Sequence, residues 1–197
     1  MPRRIAFFDF DGTITTKDTL LEFVKFAKGD LSFLTGFLLT SPWMVAYKVK
    51  LTSNHKAKEA FLSYFFRNMP IAAFNENCHR FAAEAIPQLI RPKALDELKK
   101  LKDLDADIVI VSASPENWIS PWAEPLGIRL LSTKLATKND RLTGRIEGRN
   151  CHGHEKVRRI KEVYNLEHYD EVLAYGDTSG DKPMLAQAKI SFYKPFR

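Results

Sequence analysis

The feature that most limits the fold of this chain is a set of short apolar runs separated by helical stretches. Residues 3–9 include Ile5-Ala6-Phe7-Phe8, apolar without alternation, the pattern of a strand buried on both faces. Further strands are expected at 107–112 (Ile108-Val109-Ile110-Val111), 128–132, 171–175 and 189–193. Between them, helical patterns occupy 93–102, 116–125, 155–164 and 182–188. Strands that alternate with helices predict an α/β fold, a doubly wound, Rossmann-like parallel sheet. Residues 134–149 hold two short segments around Lys138-Asn139-Asp140, read as a hairpin.

Residues 15–92 interrupt this alternation. Helices are expected at 19–27, with Thr16 or Asp18 as cap, and at 54–66 and 71–85, joined by a turn at Asn68-Met69-Pro70. An α/β core domain (1–14 and 93–197) with a separate, small helical cap inserted after the first strand (15–92) is the organisation this implies. At 197 residues and 45% hydrophobic, the chain suits one packed domain with a modest insertion. No internal repeat or low-complexity segment is present. Cys78 and Cys151 suggest no disulfide framework, and free thiols in a reducing cytoplasm are expected. The amino terminus enters the first strand almost at once, so a secretory signal is not expected. The net charge of +6 suits phosphate esters, nucleic acid or acidic lipid as partners, though an ordinary basic cytoplasmic protein carries the same charge.

Acidic residues stand where two strands end. Asp9-Phe10-Asp11-Gly12-Thr13 closes the first, and Gly176-Asp177-Thr178-Ser179-Gly180-Asp181 follows 171–175. An open parallel sheet lines up its carboxyl ends along one crevice. Four carboxylates gathered there repel one another unless a cation sits among them, which reads as a Mg²⁺ site. Asp9 is placed to attack phosphorus and Asp11 to move the proton. Gly12 allows the sharp exit. The plain alternative for Asp-x-Asp-Gly is a turn after a strand. Ser112 and the following main-chain N–H groups, Ala113 included, are candidates to hold a phosphoryl oxygen, although a helix cap is the commoner fate of such a serine. Ser114, before Pro115, fits pure capping better. Lys156 would neutralise nucleophile and phosphate; a solvated helix lysine is its alternative. Cys151, His152 and His154 lack a second ligand pair for zinc and are read as loop residues. Asp177 would bind the metal while Asp181 orients Lys156 or a water, or else only caps the next helix.

With these motifs the chain resembles the haloacid dehalogenase superfamily over essentially its whole length. The resemblance implies a phosphatase with Asp9 as nucleophile, Asp11 as acid and base, and Ser112 and Lys156 as phosphate ligands. It implies Mg²⁺ held by Asp9, the main-chain carbonyl of Asp11 and Asp177, with Asp181 in support. The dehalogenases lack the second aspartate, so Asp11 points to phosphate chemistry. The insertion and the segment Asn150–Val157 place the chain near the phosphoserine phosphatase-like branch. That branch carries a glutamate near the position of Asp18 and a cap arginine that Arg67 matches loosely, which makes both candidate substrate contacts. Gly153-His154-Glu155-Lys156-Val157 and the apolar cap are also similar to phosphatidylglycerophosphatase C.

That cap run, Leu31 to Tyr47, is interrupted by Pro42 and followed by Lys48, Lys50, Lys56, Lys58 and Arg67. It is too short to span a bilayer. Two readings stand: a dry core and lid contact within the cap, or an interfacial surface with apolar side chains in lipid and basic ones on anionic headgroups. The leading expectation is a Mg²⁺-dependent phosphatase of a small phosphomonoester. A membrane-surface lipid-phosphate phosphatase is the runner-up, and a phosphomutase would keep the same carboxylates. A non-catalytic phosphate-binding protein would need neither Asp9 nor Asp11. Nucleic acid is not an expected partner, because the lysines lack the interleaved aromatics of a binding module.

Overall fold

The computed structural model describes residues 2–197. Its elements run β1 (Arg4–Phe8), α1 (Thr19–Lys28), α2 (Asp30–Lys48), α3 (Asn54–Phe66), α4 (Ile71–Glu84), α5 (Ile86–Leu89), α6 (Pro92–Asp103) and β2 (Asp107–Pro115). Then follow α7 (Glu116–Ala123), β3 (Arg129–Lys138), β4 (Arg141–Glu147), α8 (His154–Val163), β5 (Glu171–Gly176), α9 (Lys182–Leu185) and β6 (Ile190–Tyr193). The sheet order is β4-β3-β2-β1-β5-β6, parallel except for the β3–β4 hairpin. This is the mixed α/β, Rossmann-like architecture the sequence predicts. Asn139 and Asp140 turn the hairpin with positive φ angles of 51° and 56°, which these side chains tolerate.

The two-residue period of the central strands divides them between two cores. Ile5, Phe7, Val109, Val111, Val172 and Ala174 meet Ile160 of α8, Tyr164 just after it and Met184 of α9. Ala6, Phe8, Ile108, Ile110, Leu173 and Tyr175 face the other way, toward Leu98 and Leu101 of α6 and Trp118 of α7. Both faces are therefore dry, which is why these strands are apolar throughout.

Helices α1–α5 lie between β1 and β2 in the chain. We keep 15–92 as the proposed cap on this topology, but its packing is not separate. Phe23 of α1 stacks on Trp118 of α7 at 4.7 Å and meets Phe74 and Phe81 of α4 edge-on. The cap thus shares one continuous hydrophobic cluster with Leu142 and Ile146 of β4. Truncating a ring such as Phe23 would cost about 3–5 kcal/mol.

Two expectations for the cap change. Pro42 does not interrupt α2, which runs through it. Proline leaves the carbonyl of Leu38 without its i+4 donor, and Ser41 Oγ donates to that carbonyl instead at 2.7 Å. Nor is the Leu31–Tyr47 run a dry core. Only its Gly36/Thr40 side is buried, because a Cβ at Gly36 would lie 2.2 Å from the Phe65 ring of α3. The opposite side carries exposed leucines and valines.

Candidate active site

The carboxyl ends of β1, β2 and β5 converge with the start of α8. Asp9 N donates to Tyr175 O at 2.9 Å, extending the β1–β5 ladder and bringing the loop after β5 beside Asp9. At Gly12 the chain turns away with φ +80°, and a Cβ there would lie 2.6 Å from Asp177 Oδ2. Glycine is required at this position by backbone conformation and by space together.

Asp9, Asp177 and Asp181 offer carboxylate oxygens within 4.8 Å of one another, and all three are buried. Lys156, 1% exposed, sits among them and donates to Asp9 Oδ1 at 2.6 Å and Asp181 Oδ1 at 2.7 Å. Asp181 Oδ2 also accepts from Thr178 N at 2.9 Å and Thr178 Oγ1 at 2.8 Å. It makes no side-chain cap to α9, so its place is in the cluster. Thr13 Oγ1 donates to Asp9 Oδ2 at 3.3 Å and to Asp177 Oδ1 at 3.4 Å. Arg197 donates to Asp177 Oδ2 at 2.5 Å.

Burial pushes the Asp9 carboxyl up to about 7, with Lys156 opposing and Asp181 and Asp11 adding to the rise. Burial and then Asp181 also raise Asp177, against Arg197. For Asp181 the cost of burial is outweighed by Lys156, which holds it below the usual carboxylate range. Burial alone would lower Lys156, but Asp9 and Asp181 raise it. The cluster therefore carries more negative charge than its two cations offset comfortably. Its hard oxygen donors fit Mg²⁺, which prefers carboxylate and carbonyl ligands.

The Asp11 side chain points away from this cluster. Its Oδ1 accepts from Thr19 N and Thr19 Oγ1, both at 2.6 Å, and its Oδ2 accepts from Ser114 Oγ at 2.6 Å. Trp118 Nε1 in turn donates to Thr19 Oγ1 at 3.0 Å. As a metal ligand Asp11 has only its main-chain carbonyl to offer; its carboxyl is held by Thr19 and Ser114 and lines the cleft.

Ser112 and Ser114 both face Asp11, and neither caps α7. Ser112 is fully buried; its Oγ accepts from Ser114 N at 3.0 Å and lies 3.5 Å from Asp11 Oδ2. Ser114 caps nothing, because β2 continues through Pro115 before α7 begins. Ala113 and Ser114, not Ser112, line the cleft of about 440 Å³ that holds Asp9, Asp11, Lys156 and Asp177. Asp18 lies at the edge of the same cleft and caps α1, accepting from Leu20 N at 2.9 Å. It faces the water of the cleft while protein crowds round it, and burial and Asp11 push its carboxyl up to about 6. Arg67 is not brought to the site. It ends α3 exposed, in a separate hollow with Asn68, Lys138 and Arg141.

Lys58 is the cap residue that reaches in. Its Nζ donates to Ala113 O at 2.9 Å, and it lines the cleft with the two catalytic candidates Asp9 and Asp11. Burial lowers its pKa while Asp18 and Asp11 raise it. Sequence reading noticed Lys58 only as one of a basic series. Two residues apart, Lys56 and Lys58 lie on different helix faces, and only the packing of α3 decides which of them enters the cleft. Thr19 and Thr13 carried no signal beyond ordinary helix-start and turn chemistry. Cys151 and His152 lie in the loop before α8, as read from the sequence, whereas His154 is not a loop residue but the first residue of that helix.

The site thus joins an α/β sheet with paired aspartates after its first strand to a buried lysine among further aspartates. The comparisons place it further: residues 6–186 match the haloacid dehalogenase-like hydrolase family, and the chain belongs to that family. Protein CicA of Caulobacter vibrioides is 38% identical over 192 residues, 96% of this chain and 85% of that protein. A solved protein of unknown function from Bordetella pertussis superposes with a TM-score of 0.81 at 24% identity, covering 97% of this chain and 89% of its own. A phosphoserine phosphatase solved as a phospho-aspartyl intermediate analogue has a TM-score of 0.70 at 18% identity, covering 97% and 86%. These two likenesses are of fold.

Proposed function

We propose that this hydrolase is a Mg²⁺-dependent phosphatase that cleaves a small phosphomonoester through an aspartyl-phosphate on Asp9. The observation that carries the reading is the division of labour between Asp9, in the charged cluster, and Asp11, held out of it by Thr19 and Ser114. A carboxylate of Asp9 attacks phosphorus as the ester P–O bond breaks, and Asp11 gives its proton to the departing oxygen. Asp11 then takes a proton from water, which attacks the same phosphorus and releases Asp9 and inorganic phosphate. Lys156 stays bonded to Asp9 and balances the charge that the phosphoryl group brings. Mg²⁺, held by Asp9, Asp177 and the Asp11 main-chain carbonyl with Asp181 in support, would supply further positive charge toward the phosphoryl oxygens. Ala113 and Ser114 from the core and Lys58 from the cap supply further polar groups to the cleft.

Asp9→Asn tests the reading. Turnover of a generic aryl phosphate should drop by about a thousandfold or more, while undiminished turnover refutes the nucleophile. A phosphomutase is distinguished by the absence of free phosphate among the products. Buried free thiols at Cys78 and Cys151 agree with a reducing cytoplasm as the site of action.

A lipid phosphate is the second reading of the substrate. It is favoured by Tyr47, which stands on the apolar helix α2 and also lines the catalytic cleft.

A further inference from the structure

Helix α2 is unusual in what it shows to water. A surface helix normally packs its apolar stripe inward and turns polar residues out. Here the inward side holds Gly36 and Thr40, with Phe33 and Phe37 partly buried beside them, yet a second apolar stripe at helical spacing faces out: Leu31, Leu34, Leu38, Pro42 and Val45, continued by Val49 at the helix end. Leu31 is 80% exposed, Leu38 62% and Val45 58%, and Leu51 just beyond the helix is 82% exposed. No charged residue occurs from Leu31 to Tyr47. The stripe is roughly 28 Å long at 1.5 Å per residue, large for a face with no partner.

Charge says what covers it. Lys48, Lys50 and Lys56 are exposed at the C-terminal end of the stripe, and residues 31–58 contain no carboxylate. Trp43 and Tyr47 flank the stripe half-exposed, side chains suited to the boundary between hydrocarbon and headgroups. A second copy of the chain would cover the apolar residues but leave these lysines without countercharge on this segment. Among the described residues no helix is long and apolar enough to cross a membrane, so an apolar face with a basic end fits a helix lying on one.

We propose that the outward face of α2 docks on an anionic membrane surface, with Leu31, Leu34, Leu38, Val45 and Val49 in the acyl boundary and Lys48, Lys50 and Lys56 on acidic headgroups. Tyr47 then sets the catalytic cleft at that surface. Docking does not depend on the chemistry of the site, although the delivery of phosphate esters from the surface rests on the phosphatase reading.

The test is co-sedimentation with phosphatidylcholine vesicles, with and without phosphatidylglycerol, at low and physiological salt. The whole protein should partition onto the phosphatidylglycerol vesicles, more at low salt. Leu38→Glu/Val45→Glu should lower partition about tenfold or more, and Lys48→Gln/Lys50→Gln about fivefold per lysine. Both should leave aryl phosphate turnover and thermal unfolding unchanged, because these side chains are outside the cleft. Asp9→Asn should bind as the wild type does, which separates a failure of docking from a failure of catalysis. No partition at low salt overturns the proposal, and so does partition that Leu38→Glu/Val45→Glu leaves intact. Self-association that this variant abolishes, without vesicle binding, assigns the face to a second copy and overturns it as well.

Discussion

Replacing Lys156 with methionine would show how far this site is organised by charge. The ammonium is buried and bridges Asp9 Oδ1 and Asp181 Oδ1. Methionine keeps an unbranched stem of similar reach and removes the charge, so two buried carboxylates lose their common partner. Breaking one side of a buried ion pair costs about 3–5 kcal/mol. The deficit has a pH signature. In the wild type Asp181 lies below the usual range, burial notwithstanding, because of Lys156, whereas burial carries Asp9 up to about 7. Without the ammonium both folded values rise above the ordinary 3.8. A raised carboxyl binds its proton more tightly in the folded state. Its contribution to stability is complete below the unfolded value and disappears as pH climbs through the folded one.

The variant should therefore weaken from mildly acidic pH to above neutral, by up to about 1.4 kcal/mol per pH unit for each such carboxyl. The wild type falls less over that window. The lowered Asp181 contributes stability there that only stronger acid removes. Urea unfolding followed by circular dichroism, in chelator and from about pH 5 to 8, measures both curves. A deficit under about 1 kcal/mol, the worth of an exposed pair, refutes the reasoning. So does one that fails to shrink toward acid.

Other outcomes follow from the same geometry. Gly12→Ala imposes about 1–2 kcal/mol of left-handed backbone strain and drives a methyl against Asp177 Oδ2. The Mg²⁺ concentration for half-maximal activity should rise, and an unchanged Mg²⁺ titration would count against Asp177 as a ligand. Lys58→Ala should raise the inhibition constant of inorganic phosphate about tenfold, as for one lost charged donor; competition assays that show no change remove Lys58 from the cleft's binding groups. Chelation should abolish phosphate release and Mg²⁺ should restore it, and turnover that persists in chelator would exclude the ion from the reaction.

Much of the fold was legible because its signals are local. The β1, β2 and β5 runs are apolar throughout since each is covered on both faces, and the alternation with helices follows from parallel pairing. Asp9, Lys156, Asp177 and Asp181 were also legible, because strand ends in such a sheet share one edge and residue type at those ends is informative. The capping expected of Ser114 is not found, and its hydroxyl donates to Asp11 instead. Which hydroxyl points into the cleft depends on where β2 stops pairing, and β2 carries an irregularity between Ser112 and Pro115. Arg67 and Lys58 differ in the same way: a cap helix can present either face until its packing is known.

By itself, then, the sequence determined the strands, their order along the chain and the acidic residues at their ends, since each rests on patterning within a few residues. Only the tertiary structure decided that Asp11 turns from the buried carboxylate cluster to Thr19 and Ser114, that Lys58 enters the cleft while Arg67 leaves it, and that α2 turns its leucines to solvent. These depend on contacts between segments far apart in the chain. Gly36 against Phe65 chooses the buried face of α2, and no periodicity within a helix that is apolar on nearly every side could have chosen it.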